Sequence, residues 1–181
     1  MKLGVCYYPE HWPKSRWQAD VNAMAEIGIE YVRIGEFSWS RLEGVEGEYT
    51  WGWLDDALEV LANAGLKVIL GTPTATPPKW LVDKLPSMLA RDEAGQIRGF
   101  GSRRHYSFAS LDYRQECRRI VMDMAKRYGA HEAIVAWQTD NEYGCHDTIL
   151  SYAEVDLAAF KIWLAEKYSN IEALNQAWGN V

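Results

Sequence analysis

The sequence predicts an α/β fold, a parallel sheet covered by helices, and it favours a (β/α)8 barrel. Short apolar runs alternate four times with amphipathic segments, which is typical of βα units. A long polar or aromatic loop follows each predicted strand, and barrels build their sites from such loops. An open doubly wound sheet is the alternative, but neither G-x-G-x-x-G nor G-x-x-x-x-G-K-[ST] occurs to bind a nucleotide phosphate.

Strands are predicted where short apolar runs end at a loop: residues 3–7, 31–34, 66–70 and 134–138. Helices are predicted where apolar residues recur at helical spacing: residues 13–27, 53–64, 112–128, 152–168 and 171–178. Pro13 and Gly28 delimit the first helix, and Gly65 ends the second. A single helical turn is predicted at residues 79–84, within the proline-rich connection that follows the third strand.

The length of the chain limits how much of a barrel it can form. A complete barrel needs about 250 residues, whereas this chain has 181 and four strand–helix units. We therefore interpret residues 1–181 as the first half of one barrel domain. The chain is either the front part of a longer protein or a half-barrel that pairs with a partner. The strands at residues 3–7 and 134–138 would be open sheet edges, so the isolated chain is expected to associate.

Composition and charge exclude several classes of function. A net charge of -6 argues against nucleic acid as a partner and favours a neutral or small ligand. No apolar stretch approaches the roughly 20 residues of a membrane span, and the first residues are too polar for a signal peptide. Three cysteines fit a reducing compartment, so a cytoplasmic protein is expected. The nine tryptophans either stack on sugar rings or pack in the core.

The most informative polar cluster directly follows the fourth predicted strand, in the stretch WQTDNEYG. Asp140, Asn141 and Glu142 stand where barrel enzymes keep catalytic groups. Glycoside hydrolysis uses two carboxyl groups, one of them a general acid whose pKa is raised. Aromatic neighbours such as Trp137 and Tyr143 could tune Glu142 for that role. The competing interpretation is a solvated loop glutamate or a helix cap.

Other polar residues follow the first three strands and would approach the same edge of the sheet. Arg104, in the run at residues 103–105, either grips sugar hydroxyls or belongs to a surface basic run. Glu36 either lines the pocket or pairs with an arginine. A structural role is favoured for the residues after the first strand, which are Tyr8, His11 and Trp12.

The sequence resembles the β-galactosidases of glycoside hydrolase family 42 along nearly its whole length. The matching motifs are YYPEHWP, RIGEFSWSRLE, GEYTWGWLDDAL, GTPTATPPKWL, GSRRHYSF, WQTDNEYGCHDTILSY and LNQAWG, in that order. The resemblance implies a (β/α)8 barrel that hydrolyses terminal β-galactosides with retention and without a cofactor. It implies Glu142 as the acid/base, Asn141 and Arg104 as sugar-binding residues, and a nucleophilic glutamate after the seventh strand, beyond Val181. Residues 1–181 alone are therefore expected to be inactive, because double displacement needs both carboxylates. The resemblance also implies a homo-oligomer, often a trimer.

One departure from the family concerns zinc. Some family members hold zinc with four cysteines, and the corresponding positions here are Ser107, Ser151, Ala153 and Asp156, so no zinc site is expected. Two alternatives to the β-galactosidase remain open: a related barrel glycosidase acting on α-L-arabinopyranosides or β-fucosides, and a carbohydrate-binding or structural half-barrel without catalysis of its own.

Overall fold

The computed structural model describes residues 2–101, 104–144 and 150–180. Within these residues, one parallel sheet has the strand order β1-β2-β3-β4. The strands are β1 Leu3–Cys6, β2 Ile29–Ile34, β3 Lys67–Gly71 and β4 Ile134–Gln138. The α-helices are α1 Lys14–Glu26, α2 Trp39–Leu42, α3 Gly52–Asn63, α4 Lys79–Lys84, α5 Leu111–Tyr128, α6 Glu154–Lys167 and α7 Ile171–Trp178.

The core lies between the sheet and the helices α1, α3 and α5, each of which connects two neighbouring parallel strands. In α3, Leu54, Leu58 and Leu61 recur at helical spacing and are buried in one cluster with Val32 and Val68 of the sheet. Burial of each such side chain stabilises the fold by about 1.5–3 kcal/mol. Among the described residues, no helix combines the length and the apolar composition that crossing a bilayer requires.

Most predicted elements are confirmed to within two residues at each end, but the short helix α2 was not predicted. Four residues are too few to show a helical period. Burial of Trp39 and Leu42 fixes this turn instead, and Trp39 Nε1 donates a hydrogen bond to Glu43 Oε2 at 2.9 Å. Tertiary packing thus determines a local structure that periodicity cannot indicate.

The fourth strand is an open edge of the sheet, as predicted. β4 is an edge strand that pairs only with β3 in the described sheet, and the side chains of Val135 and Trp137 are 50% and 37% exposed. A strand with one neighbour has one side uncovered, which accounts for this exposure. β1 is the other edge, as predicted.

A close backbone approach between β3 and the segment after β2 gives a stability prediction. A Cβ atom on Gly71 would lie 2.7 Å from Glu36 Cβ and 2.8 Å from Glu36 Cα and N. The residue Glu36 is buried and its backbone cannot move aside without disturbing the sheet. We expect Gly71→Ala to lower the free energy of unfolding by about 1–3 kcal/mol in urea titrations.

Gly52→Ala is the matched control, because a Cβ on Gly52 would meet no atom within 4 Å apart from its chain neighbours and the nearby backbone of its own helix, and the residue starts α3. Alanine is favoured over glycine in helices, so this variant should be neutral or slightly stabilising. Equal losses in the two variants would contradict the steric explanation.

Candidate active site

The polar residues singled out in the sequence gather at the carboxyl ends of the strands. Tyr8 and Glu36 follow β1 and β2, Thr72 follows β3, and Asp140 follows β4. The strands are parallel and adjacent, so these ends meet at one edge of the sheet. In α/β proteins of this kind, the edge formed by the carboxyl ends of the strands is where ligands bind.

The carboxylate of Asp140 is the centre of a buried hydrogen-bond network. Thr74 Oγ1 donates to its Oδ2 at 2.8 Å, and the hydroxyl of Tyr106 lies 3.0 Å from both carboxylate oxygens. The backbone N–H of Asn141 donates to Oδ1 at 2.7 Å, and the N–H of Asp140 donates to Thr72 Oγ1 at 2.7 Å. The loop after β4 is therefore fastened to the loops after β3.

The hydroxyl of Tyr106 stays a hydrogen-bond donor in this network. Burial, together with the neighbouring Asp140 carboxylate, raises the pKa of Tyr106 far above its usual range. The ring also packs on Tyr113 at a centroid distance of 4.4 Å. Sequence reasoning placed Asp140 in the polar cluster without a role, and it gave Tyr106 no role, because a network between distant loops leaves no local pattern.

Arg104 lies inside the site, with only 2% of the residue exposed. Its Nε donates to the backbone carbonyl of Asn141 at 3.1 Å, and its Nη2 donates to the same oxygen. The guanidinium carbon lies 5.8 Å from the ring centre of Phe108 and 5.7 Å from that of Tyr143. The surface interpretation is therefore wrong for Arg104, whereas Arg103 lies outside the described residues.

One guanidinium nitrogen of Arg104 keeps its donor capacity. Nη1 is buried and has no hydrogen-bond partner among the residues that the structure describes. A buried donor without a partner costs about 1–3 kcal/mol, and a ligand that accepts its hydrogen bond would remove that cost.

Asn141 and Glu142 occupy different environments although they are adjacent. Asn141 is buried, and its Oδ1 accepts a hydrogen bond from Gln138 Nε2 at 3.1 Å. Glu142 is exposed. The three non-glycine residues with positive φ in the described chain are Arg104 at 54°, Asp140 at 55° and Glu142 at 48°. Such backbone conformations cost about 1–3 kcal/mol each and cluster at functional sites.

Glu36 is fully buried and pairs with an arginine, which was one of its two predicted roles. Its Oε1 lies 2.9 Å from Arg33 Nη2 and accepts from the hydroxyl of Tyr8 at 3.0 Å. Both side-chain oxygens of Glu10 are buried without a partner among the described residues, and burial raises the pKa of Glu10. Sequence reasoning assigned Glu10 no role, since its motif is typical of a loop.

The aromatic residues after β1 have mainly structural contacts, as favoured from the sequence. Tyr8 stacks on His11 and Phe37 at centroid distances of 5.4 and 6.0 Å. Trp12 is exposed, and the guanidinium of Arg16 lies 4.2 Å from its ring centre.

A cleft of about 410 Å³ adjoins the Asp140 network but does not contain the candidate catalytic side chains. Its wall includes Asp140 and Tyr143, and its other side is formed by Cys117 and Val121 of α5. Neither Arg104, Asn141 nor Glu142 lines it. The cleft lies between the end of the sheet and α5, so it is not assigned as the substrate pocket.

The residues at the four positions where the resemblance implies zinc-binding cysteines in some relatives do not fit zinc. Zinc in structural sites is held by thiolates and imidazoles, usually four of them. Ser107, Ser151, Ala153 and Asp156 offer two hydroxyls, a methyl group and one carboxylate, and the hydroxyls are engaged with the carboxylate at 2.7 and 2.6 Å. No group of three or more histidine, cysteine, aspartate or glutamate side chains could hold a metal within residues 2–101, 104–144 and 150–180.

Comparisons with known proteins agree on one family. The family model for glycoside hydrolase family 42, described as Beta-galactosidase, matches residues 6–181. A curated β-galactosidase of Thermus thermophilus is 59% identical over 177 residues, which are 98% of this chain and 27% of the relative. The chain thus spans about a quarter of the length of the curated relatives that it matches.

Solved structures give the same result. The β-galactosidase of the psychrophilic Marinomonas ef1 matches with a TM-score of 0.95 and 73% identity, over 99% of this chain and 27% of that one. A structure of a catalytic mutant of the G. stearothermophilus family 42 β-galactosidase matches with a TM-score of 0.90 and 34% identity, over 98% and 26% of the two chains. These matches confirm the predicted fold class, a (β/α)8 barrel of which this chain provides four βα units.

Removal of the Tyr106 hydroxyl tests the network around Asp140. A hydrogen bond to a charged group contributes about 1.5–3 kcal/mol, so Tyr106→Phe should lower the free energy of unfolding by a similar amount in urea at pH 7. Tyr152→Phe is the control, since that ring is exposed and surface changes stay within about 0.5 kcal/mol. Indistinguishable urea midpoints for the two variants would show that the buried contact contributes nothing.

Proposed function

The chain belongs to glycoside hydrolase family 42, and we propose that it carries the acid/base part of a retaining β-galactosidase site. The substrate would be a terminal β-D-galactoside. Support comes from the strained loop after β4, which presents Glu142 beside the buried pair Asn141 and Arg104. Membership of a family described as Beta-galactosidase also supports it.

Glu142 is proposed to act first as an acid and then as a base. In the first step its carboxyl group protonates the glycosidic oxygen, while a second carboxylate attacks the anomeric carbon and the leaving alcohol departs. In the second step the Glu142 carboxylate removes a proton from water, and the water oxygen replaces the enzyme at the same carbon. Two displacements give net retention of configuration.

The second carboxylate is proposed to come from outside residues 1–181. Glu36, the buried acid after β2, is engaged by Arg33 and Tyr8, and Asp140 accepts hydrogen bonds from Thr74, Tyr106 and a backbone N–H. In the G. stearothermophilus β-galactosidase, the catalytic mutation replaces a glutamate whose number exceeds the length of this chain. Residues 1–181 would then be the first half of a single catalytic domain.

Arg104 and Asn141 are proposed to bind the sugar, and the unpartnered Nη1 of Arg104 is the observation that carries the assignment. Two other guanidinium nitrogens are fixed by the Asn141 carbonyl, and the aromatic rings of Phe108 and Tyr143 flank the group. The remaining donor is therefore held in one direction, and a sugar hydroxyl could accept from it. Arginine stays charged at all physiological pH values, so this donor is always present.

The proposed compartment is the cytoplasm, and the proposed assembly is a homo-oligomer. Cys6 and Cys117 are free thiols, which suits a reducing compartment. Burial raises the pKa of the Cys117 thiol to about 12, which disfavours its reactive thiolate form. Light scattering of the full-length enzyme would determine the assembly.

Replacement of the acid/base tests the role of Glu142 in the full-length enzyme. Glu142→Gln should slow lactose turnover by about 100-fold or more, because an alcohol leaving group needs a proton. A dinitrophenyl galactoside should lose much less in the glycosylation step, because its leaving group departs unprotonated. Azide should restore turnover and give β-galactosyl azide, since a small anion attacks the glycosyl-enzyme without a general base.

Glu132→Gln is the matched control. Glu132 is exposed and lies just before the amino-terminal end of β4, whereas Glu142 follows the carboxyl end of the strand. This control should leave both substrates unaffected. Normal lactose hydrolysis by Glu142→Gln, or azide rescue that yields the α-azide, would refute the assignment.

A conservative change tests the sugar-binding role of Arg104. Arg104→Lys keeps the charge but loses the planar fork of donors, so kcat/KM for a nitrophenyl galactoside should fall at least about tenfold, roughly 1.4 kcal/mol. Rates are compared well below each unfolding midpoint, because Arg104 is buried. Arg103→Ala is the neighbouring control, and a loss of the same size there would remove the support for a specific contact.

A further inference from the structure

Two segments that are separate along the chain, the loop after β3 and the segment around the start of α6, meet at the carboxylate of Asp156, in the first turn of α6. The hydroxyl of Ser107, in the loop after β3, donates to Oδ1 at 2.7 Å. The hydroxyl of Ser151, which lies between the loop after β4 and the start of α6, donates to Oδ2 at 2.6 Å. Hydrogen bonds this short between hydroxyls and a carboxylate are the strong, charge-assisted kind.

Both serine hydroxyls also accept a hydrogen bond from a backbone N–H two residues further along the chain, so each one holds the backbone of its own segment. The N–H of Ala109 donates to Ser107 Oγ at 3.1 Å, and the N–H of Ala153 donates to Ser151 Oγ at 3.3 Å. Ala153 is the N-cap residue of α6 and has no side chain that can cap the helix. The start of α6 is thus tied to Ser151, and through Asp156 to Ser107.

This bridge lies next to the groups that hold the candidate active site. Ser107 is buried, directly follows Tyr106, which donates to Asp140, and stands three residues after Arg104. Its N–H donates to the carbonyl of Met88 at 2.7 Å. The position of the loop that carries Arg104 is therefore set from one side by Asp140 and from the other by Asp156.

We propose that Asp156 is a positioning residue that joins the loop of Arg104 to the segment after the loop of Glu142, through two serine hydroxyls and without a metal ion. The bridge occupies the positions at which the resemblance places zinc-binding cysteines in some family members. One carboxylate with two neutral hydroxyl donors ties the same two segments here. The link to catalysis, but not the bridge itself, rests on the proposed function.

Hydrogen exchange of the full-length enzyme, measured by mass spectrometry, tests the bridge directly. In Asp156→Ala, peptides that cover residues 104–113 and 150–156 should exchange at least about tenfold faster than in the wild type. Glu154→Ala removes an exposed acid from the same helical turn and should leave exchange in both segments unchanged. Ser151→Ala is a milder variant for the case that Asp156→Ala does not fold, and it should loosen residues 150–156.

Metal content and chelation separate the bridge from a zinc site. The wild-type enzyme should contain substoichiometric zinc, and EDTA should change neither its melting temperature nor the exchange of the two segments. One zinc per chain whose removal loosens these segments would overturn the proposal. Unchanged exchange in folded Asp156→Ala or Ser151→Ala protein would also overturn it.

Kinetics test the positioning role. In Asp156→Ala, KM for a nitrophenyl galactoside should rise at least about threefold with little change in kcat, because the change releases the loop that carries Arg104. An effect on the melting temperature without any change in KM would leave Asp156 no positioning role. If the wild-type enzyme hydrolyses no galactoside, the proposed function fails, while the exchange and zinc measurements still decide the bridge.

Discussion

The buried carboxylate of Asp140 is the constraint on which the candidate site depends. A charge taken out of water must be met by donors, because an uncompensated buried charge costs several kcal/mol. Thr74, Tyr106 and the N–H of Asn141 supply these donors, and two of them come from segments far away in sequence. These hydrogen bonds join the end of β4 to the loops after β3. They therefore also fix the positions of the residues next to Asp140.

The backbone strain in the site follows from this constraint. Positive φ angles at Arg104, Asp140 and Glu142 cost about 1–3 kcal/mol each, and hydrogen bonds to a charged group contribute about 1.5–3 kcal/mol each. The two sets of energies are of similar size, so the network is strong enough to hold the strained loop. A loop fixed in this way holds Asn141 buried and Glu142 exposed.

The sequence predicted those features that depend on local pattern or on strand ends. The apolar face of α3 and the polar residues after β4 are of this kind, and the resemblance added roles for Arg104, Asn141 and Glu142, which stay predictions. Features that depend on contacts between distant segments were missed, such as the donors to Asp140 and the burial of Glu10.

The most direct test concerns which carboxylate attacks the sugar. The full-length enzyme can be inactivated with 2,4-dinitrophenyl 2-deoxy-2-fluoro-β-galactoside, whose fluorine slows breakdown of the glycosyl-enzyme so that the nucleophile stays labelled. After proteolysis and mass spectrometry, we expect the label on one carboxylate outside residues 1–181 and none on Glu36, Asp140 or Glu142. A label on any carboxylate within residues 1–181 would contradict the proposal that this chain supplies the acid/base and the remainder of the enzyme supplies the nucleophile.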